Sequence, residues 1–273
     1  AMWLAASLAL ESSLFDAFGL KASGSLDSWQ ALLERREAYV ASVRESYRRR
    51  LQALAIEFIP ERGRFVSANE LIAGDRRLTA RHFLIATGAR PERPSITGAE
   101  FGSDSNAFFT WQNAPKRVVI AGGGYIGVEL ATILQALGSQ VYLLVRGARL
   151  LSSFDGGVVA SLSSQMQASG IAIHTRSAVR CVAKVGNELL ISLADGRVIE
   201  ADALLWATGR TPNSDELGLD ALDISRDARG RIRVDAHNHT NVSNIHAVGD
   251  VTTDTPLTPV AVMAGRILAE KLF

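Results

Sequence analysis

The residues best placed to do chemistry are Gly122, Gly124 and Gly127, spaced G-x-G-x-x-G between an apolar run and a helical one. Arg117 to Ala121 (RVVIA) has the β-branched, small-residue character of a buried parallel strand. Tyr125 to Leu137 (YIGVELATILQAL) keeps helical spacing and stops at Gly138. Strand, tight turn and helix N-terminus in that order suit a pyrophosphate. The first glycine permits the turn, the second lets phosphate approach the backbone, and the third lets helix and strand pack closely. Amides of the helix's first turn then face the phosphates. The alternative is a glycine-rich turn that serves packing alone, and the strand–turn–helix context weighs against it. The next apolar run, Gln140 to Val145, leads into Arg146, about 20 residues on, where NAD-binding units place an acid for the ribose 2′-hydroxyl. An arginine there suits a 2′-phosphate, and Arg149 adds a second positive charge. The pair predicts NADP(H); a glycine at position 127 also suits NAD, and two solvated surface arginines are the plain alternative.

These residues need a scaffold, and the chain has the material for one. Its 273 residues are 47% hydrophobic, enough for one large or two modest domains. The net charge of +1 offers no polycation for nucleic acid, and Arg48–Arg49–Arg50 reads as a solvated helix face. One cysteine, Cys181, gives no disulfide framework and fits a small core residue in a reducing, cytoplasmic setting. The apolar start, Met2 to Phe18, lacks a basic leader and is too short to span a bilayer, so no membrane partner is expected. His237 and His239 lack cysteine or carboxylate partners at a metal-site spacing, so no metal is expected.

In chain order, Met2 to Phe18 reads as a helix stopped at Gly19. Trp29, Leu32, Leu33, Val40, Val43, Tyr47, Leu51 and Leu54 form the stripe of a long amphipathic helix. Ile56–Ile59 and Arg64–Val66 read as short strands, and Glu70–Ala73 with Leu78–Ile85 as a hairpin around Gly74–Asp75. Pro91 to Gly102 reads as a linker. After Arg149 the pattern predicts a helix over Val158–Ala168 and a strand over Ile171–His174. A meander follows over Ala178–Val185, Glu188–Leu193 and Arg197–Glu200, then a buried strand over Ala203–Ala207. Asp223 to Asp235 reads as an exposed connection. Ile245–Val248 and a helix from Pro259 to Phe273 close the chain. The dinucleotide unit is thus flanked on both sides by sheet-like segments, as if inserted into another domain.

Five motifs in order carry a family resemblance: IATGARP at 85–91, GGGYIGVE at 122–129, WATGRTPN at 206–213, AVGD at 247–250 and LTPVAVMAGR at 257–266. Together the chain resembles the pyridine nucleotide–disulfide oxidoreductases, and among them the glutathione-reducing branch. The resemblance implies an α/β fold with a Rossmann-like NADP-binding domain, a parallel sheet plus β-meander, inserted into a partial FAD-binding domain. The corresponding boundaries are 1–114 and 241–273 for the FAD-binding parts and 115–240 for the NADP(H)-binding domain. It implies NADP(H) contacts at Gly122, Gly123, Gly124, Tyr125, Ile126, Gly127, Glu129, Gly209 and Arg210, with Arg146 and Arg149 toward the 2′-phosphate and Tyr125 as the cover of the nicotinamide pocket. FAD contacts are implied at Gly63, Thr87, Gly88, Asp250 and Thr258. Tyr47 and Arg266 are implied on glutathione disulfide, where an arginine complements a carboxylate.

The family activity so implied is hydride transfer from NADPH to FAD and on to a disulfide, in a cytoplasmic homodimer. The alternatives are lipoamide or mercuric ion as substrate, or a non-catalytic NADP(H)-binding module. In the family a first nucleotide fingerprint and a C-x-x-x-x-C dithiol lie upstream of these motifs, and an interface domain with a His–Glu pair and the dimer contact lies downstream. None of these is among the 273 residues, so the expectation is a middle portion of such a reductase, with no catalytic residue of its own. Ser152 stands where a second phosphate arginine is usual, with Arg149 as its substitute, and Ser105–Asn106 replaces a Ser–Asp pair.

Overall fold

The computed structural model describes residues 2–17, 29–253 and 255–273. In chain order the elements are α1 (Met2–Ala17), α2 (Trp29–Ala53), β1 (Gly63–Ser67), β2 (Glu70–Ala73), β3 (Arg76–Thr79), β4 (Phe83–Ile85) and β5 (Ala89–Pro91). Next come β6 (Ser103–Asp104), α3 (Ser105–Phe108), β7 (Arg117–Ala121), α4 (Tyr125–Ala136), β8 (Gln140–Val145), α5 (Gly156–Ala168) and β9 (Ala172–Thr175). The remainder are β10 (Val179–Val185), β11 (Glu188–Leu193), β12 (Val198–Ala201), β13 (Ala203–Trp206), β14 (Arg210–Pro212), β15 (Ile245–Ala247) and α6 (Thr258–Leu272). The chain divides into two compact units, Ala1–Arg50 with Pro91–Gly209 and Leu51–Arg90 with Arg210–Phe273.

The first unit is a five-stranded parallel sheet in the order β6-β13-β7-β8-β9, with the separate antiparallel meander β10-β11-β12. Its central strand β7 is buried at four successive positions because both sheet faces are covered. Alternate residues serve the two faces. Val118 and Ile120 join Leu134 of α4, Met2 and Ala6 of α1, and Trp29. Val119 and Ala121 join Trp206 and the meander residues Leu189, Ile191 and Leu193. On α4 the buried set Val128, Leu130, Ala131, Ile133 and Leu134 is the wide stripe that a helix lying on a sheet requires. Trp206 fixes the region before the sheet, since its Nε1 donates to the Ala99 carbonyl at 2.8 Å inside the core.

The second unit holds the hairpin ladder β1-β2-β3 and the parallel pair β4–β15. Phe65 and Phe83 meet edge-to-face at 5.2 Å. Around them Ile85, Leu219, Ile224, Ile232, Ile245 and Val251 complete a core.

Several sequence expectations are corrected. Ile56–Ile59 is not a strand: no described strand offers it a ladder, and Ile56 and Phe58 are exposed. Leu78–Ile85 is not one strand, because β3 pairs antiparallel with β2 while β4 pairs parallel with β15 in another sheet. The linker from Pro91 contains a 3-10 turn at Ala99–Phe101 and ends on β6, whose two polar residues carry no periodic signal. Pairing with Leu205 and Trp206 of β13 makes β6 a strand. Asp104 then caps α3, accepting from the Asn106 and Ala107 amides at 2.9 Å each. Asp223–Asp235 is less exposed than expected, because Ile224 and Ile232 are buried. The apolar stripe of α2 is buried only at Trp29 and Leu33, with Arg36 buried outside the stripe; Tyr47, and Leu54 just past the helix, are exposed. Phe18 and Gly19, the expected end of the first helix and its stop, lie outside the described residues.

Candidate functional site

Parallel sheets offer ligands a crevice at the carboxyl ends of the strands, where neighbouring connections leave in opposite directions. Here β7 has β8 on one side and β13 on the other. At that point a cavity of about 710 Å³ opens in the first unit, lined by Gly122, Gly123, Gly124, Tyr125, Arg146, Arg149 and Gly209 among others. Its volume falls in the range of small-molecule and cofactor sites.

The three motif glycines differ physically. Gly122 has φ of 134°, a conformation open to glycine, and a Cβ there would lie 2.0 Å from the Ala207 carbonyl oxygen. At Gly127 a Cβ would lie 2.0 Å from the Gly122 carbonyl oxygen, so α4 starts pressed against the turn. Gly124 has ordinary extended backbone, and a Cβ there would meet nothing within 4 Å. Protein packing therefore explains Gly122 and Gly127 and does not explain Gly124, which faces open space at the cavity. That space, at the N-terminus of α4 and beside two arginines, fits a pyrophosphate.

The helix ladder begins with the Val128 amide donating to the Gly124 carbonyl at 3.0 Å, so the first-turn amides lie at the cavity's edge. The turn is braced by the Gly122 amide on the Leu144 carbonyl at 2.9 Å and by the Leu151 amide on the Gly123 carbonyl at 2.8 Å. Arg146 leaves the end of β8 exposed, with no ion pair among the described residues. Arg149 is anchored, its Nη2 donating to the Ser152 carbonyl at 2.7 Å. Opposite, the Thr208 hydroxyl donates to the Glu92 carbonyl at 2.9 Å, and the Glu92 amide to the Gly209 carbonyl at 3.0 Å.

Other expected site residues have different settings. Ile126 is half-buried, Gly127 buried and Glu129 exposed, all on the opening of α4 and outside the cavity lining. In the second unit Arg210 donates through Nη2 to the Ala89 carbonyl, while its Nε is buried with no partner. Thr87 and Gly88 are clamped by Asn213: Thr87 Oγ1 donates to the Asn213 carbonyl at 2.7 Å, Asn213 Nδ2 to the Thr87 carbonyl at 2.9 Å, and the Asn213 amide to the Gly88 carbonyl at 2.9 Å. Gly63 opens β1, Asp250 lies in the 3-10 turn Gly249–Val251, and Thr258 starts α6. Tyr47 on α2 and Arg266 on α6 are exposed. Sequence reasoning did not single out Thr208, Ser177 or Ile96 as site residues, yet all three line the cavity. Thr208 is the middle of an Ala-Thr-Gly triplet and was within reach; Ser177 and Ile96 arrive by tertiary folding and carry no local signal.

The comparisons with known proteins agree with this architecture. Residues 7–265 match the family model described as pyridine nucleotide-disulphide oxidoreductase. The glutathione reductase of Burkholderia cepacia is 35% identical over 256 residues, covering 94% of this chain and 57% of that protein. That of Schizosaccharomyces pombe is 37% identical over 259 residues, covering 92% and 56%. The chain thus spans little more than half the length of these curated relatives. Among solved structures, the HOCl-induced flavoprotein disulfide reductase RclA from Escherichia coli aligns with a TM-score of 0.86 at 25% identity, covering 97% of this chain and 61% of that one. With a family match over nearly its whole length and a strand–glycine turn–helix built as that family requires, the chain belongs to the pyridine nucleotide-disulphide oxidoreductases.

Proposed function

We propose that the cavity at the end of β7 binds NADP(H) and that the chain is part of a glutathione-disulfide reductase using NADPH and FAD. The observation that carries the nucleotide reading is Gly124 facing open space beside Arg146 and Arg149. The relatives named as glutathione reductases support the substrate. In this reading 115–240 serves NADP(H), and 1–114 with 241–273 serve FAD through Gly63, Thr87, Gly88, Asp250 and Thr258. Tyr47 and Arg266 meet glutathione disulfide. Bound nicotinamide and flavin supply the electron transfer, and the protein supplies binding, orientation and charge. The amides of α4 hold the pyrophosphate, Arg146 and Arg149 pair with the 2′-phosphate, and Tyr125 borders the nicotinamide end.

Titration of the purified chain with NADPH and NADH, read by nicotinamide fluorescence, tests the assignment. Arg146→Glu removes a charged partner worth about 1.5–3 kcal/mol. NADPH affinity is expected to fall by roughly tenfold or more, with NADH little affected. Unchanged NADPH affinity rejects the role. A second reading, an NADP(H)-binding module without disulfide chemistry, is favoured by the presence of one cysteine, since thiol–disulfide exchange needs an attacking thiolate and a partner sulfur. A flavin absorbance band in the purified chain argues for the reductase reading, and a colourless protein that binds NADPH argues for the module.

A further inference from the structure

Four of the chain's five histidines gather in the second unit, in a region to which the nucleotide reading gives no role. His246, the middle residue of β15, is 1% exposed. Its Nε2 faces His82 Nδ1, just ahead of β4, at 3.3 Å, and its Nδ1 is buried with no hydrogen-bond partner. The His239 ring lies 5.0 Å from it, centre to centre. Asp235 Oδ2 is 3.6 Å from His239 Nδ1, and Lys271 of α6 contacts His237 Nδ1.

Proton bookkeeping on the 3.3 Å contact is restrictive. With both rings neutral, the arrangement that leaves no buried donor stranded has His246 donating from Nε2 to a bare Nδ1 on His82, and only an acceptor lone pair unmet at His246 Nδ1. A proton added to His246 Nδ1 puts an unmatched donor and a charge into the core, beside two other imidazoles.

We infer that the His82–His246 contact is an acid-sensitive latch on β15: the buried His246 ring can accept a further proton only after the strand leaves its place beside β4. Burial first, then the neighbouring His239 and His82, hold the His246 imidazole below its ordinary range, with Asp235 opposing them. The opened state therefore binds more protons than the closed one. The latch holds fully above the ordinary imidazole value of about 6.5 and weakens as pH falls below it. Because β15 pairs with β4 through Ile245↔Phe83 and Ala247↔Ile85, its release opens the core that these residues fill. This inference does not depend on which cofactor the protein binds.

Hydrogen exchange of the β15 amides, corrected for the intrinsic pH dependence, together with histidine NMR of the same chain from pH 8 to 5, tests it. The expected result is an opening constant that rises up to about tenfold per pH unit below about 6.5, the signature of one excluded proton. His246 stays neutral in the closed state over that range. In His246→Leu the rise is expected to be lost or much reduced. The same rise in His246→Leu overturns the latch. So does protonation of His246 in place with the β15 amides unmoved, a readout that stands even if the variant does not fold.

Discussion

Gly124 and Gly127 lie on the same turn of chain, yet their environments ask for glycine for different reasons. Gly127 is held by the Gly122 backbone oxygen 2.0 Å from where a Cβ would sit, so Gly127→Ala must push α4 away from the glycine turn. A loss of about 1–3 kcal/mol is expected from such overpacking, seen as a lower thermal midpoint. Gly124→Ala meets no protein atom and has permitted backbone, so its stability cost is limited to the weaker N-cap preference of alanine, up to about 1 kcal/mol. Its dinucleotide affinity is expected to fall by about tenfold or more, because the methyl group occupies the phosphate's approach. Titration and melting of the two variants side by side separate a ligand glycine from a packing glycine. Equal affinity in Gly124→Ala and the unaltered chain refutes the pyrophosphate position.

Among the elements, the join between the 99–104 segment and β13 is where local sequence says least and tertiary contact does most. Trp206 donates to the Ala99 carbonyl from within the core, and a Cβ on Gly102 would lie 2.3 Å from that Nε1. Trp206→Phe strands the buried carbonyl and leaves space beside it. A destabilisation of about 1–3 kcal/mol is expected from the unmet acceptor alone. Urea denaturation checks it, and a change under about 0.5 kcal/mol means the carbonyl finds another partner. The α2 helix shows the reverse situation. Its periodic stripe is plain in the sequence, but burial ends at Arg36, whose guanidinium donates to Glu37 and the Phe109 carbonyl. Periodicity established a helix there, while its depth of burial depended on neighbours it does not encode.

For the molecule as a whole, charge predicts how acid acts. With a net charge of +1 there is little general self-repulsion near neutrality, so specific groups govern. His174, through burial and then Arg197, and His246, through burial and then its histidine neighbours, are both held below the ordinary imidazole range. Their contribution is present above about pH 6.5 and is lost as pH falls below that value. Asp195, bonded by Arg197, Asp202, bonded by Arg117, and Asp215, bonded by Arg90, are held below the ordinary carboxylate range. Their contribution is present above about pH 4 and is lost below it. Urea midpoints measured from pH 8 to pH 3 are expected to fall in two steps, beginning near pH 6.5 and again near pH 4. A flat response between pH 7 and 5 contradicts the first.

Much of this protein is legible in its amino-acid order. The order of strand, glycine turn and helix at 117–137 is a local matter, because hydrophobic period and backbone freedom are properties of neighbouring residues. The five ordered motifs and the α/β class came with it, and the family match agrees. Tertiary structure alone decided that Ser103–Asp104 is a strand, that Leu78–Ile85 is split between two sheets, and that Ser177 and Ile96 reach the same cavity as Gly124. It alone brought His82 against His246. Each of these depends on partners far away in the chain, and a short polar strand or a lone histidine has no pattern of its own until the partner that pairs with it or buries it is in place.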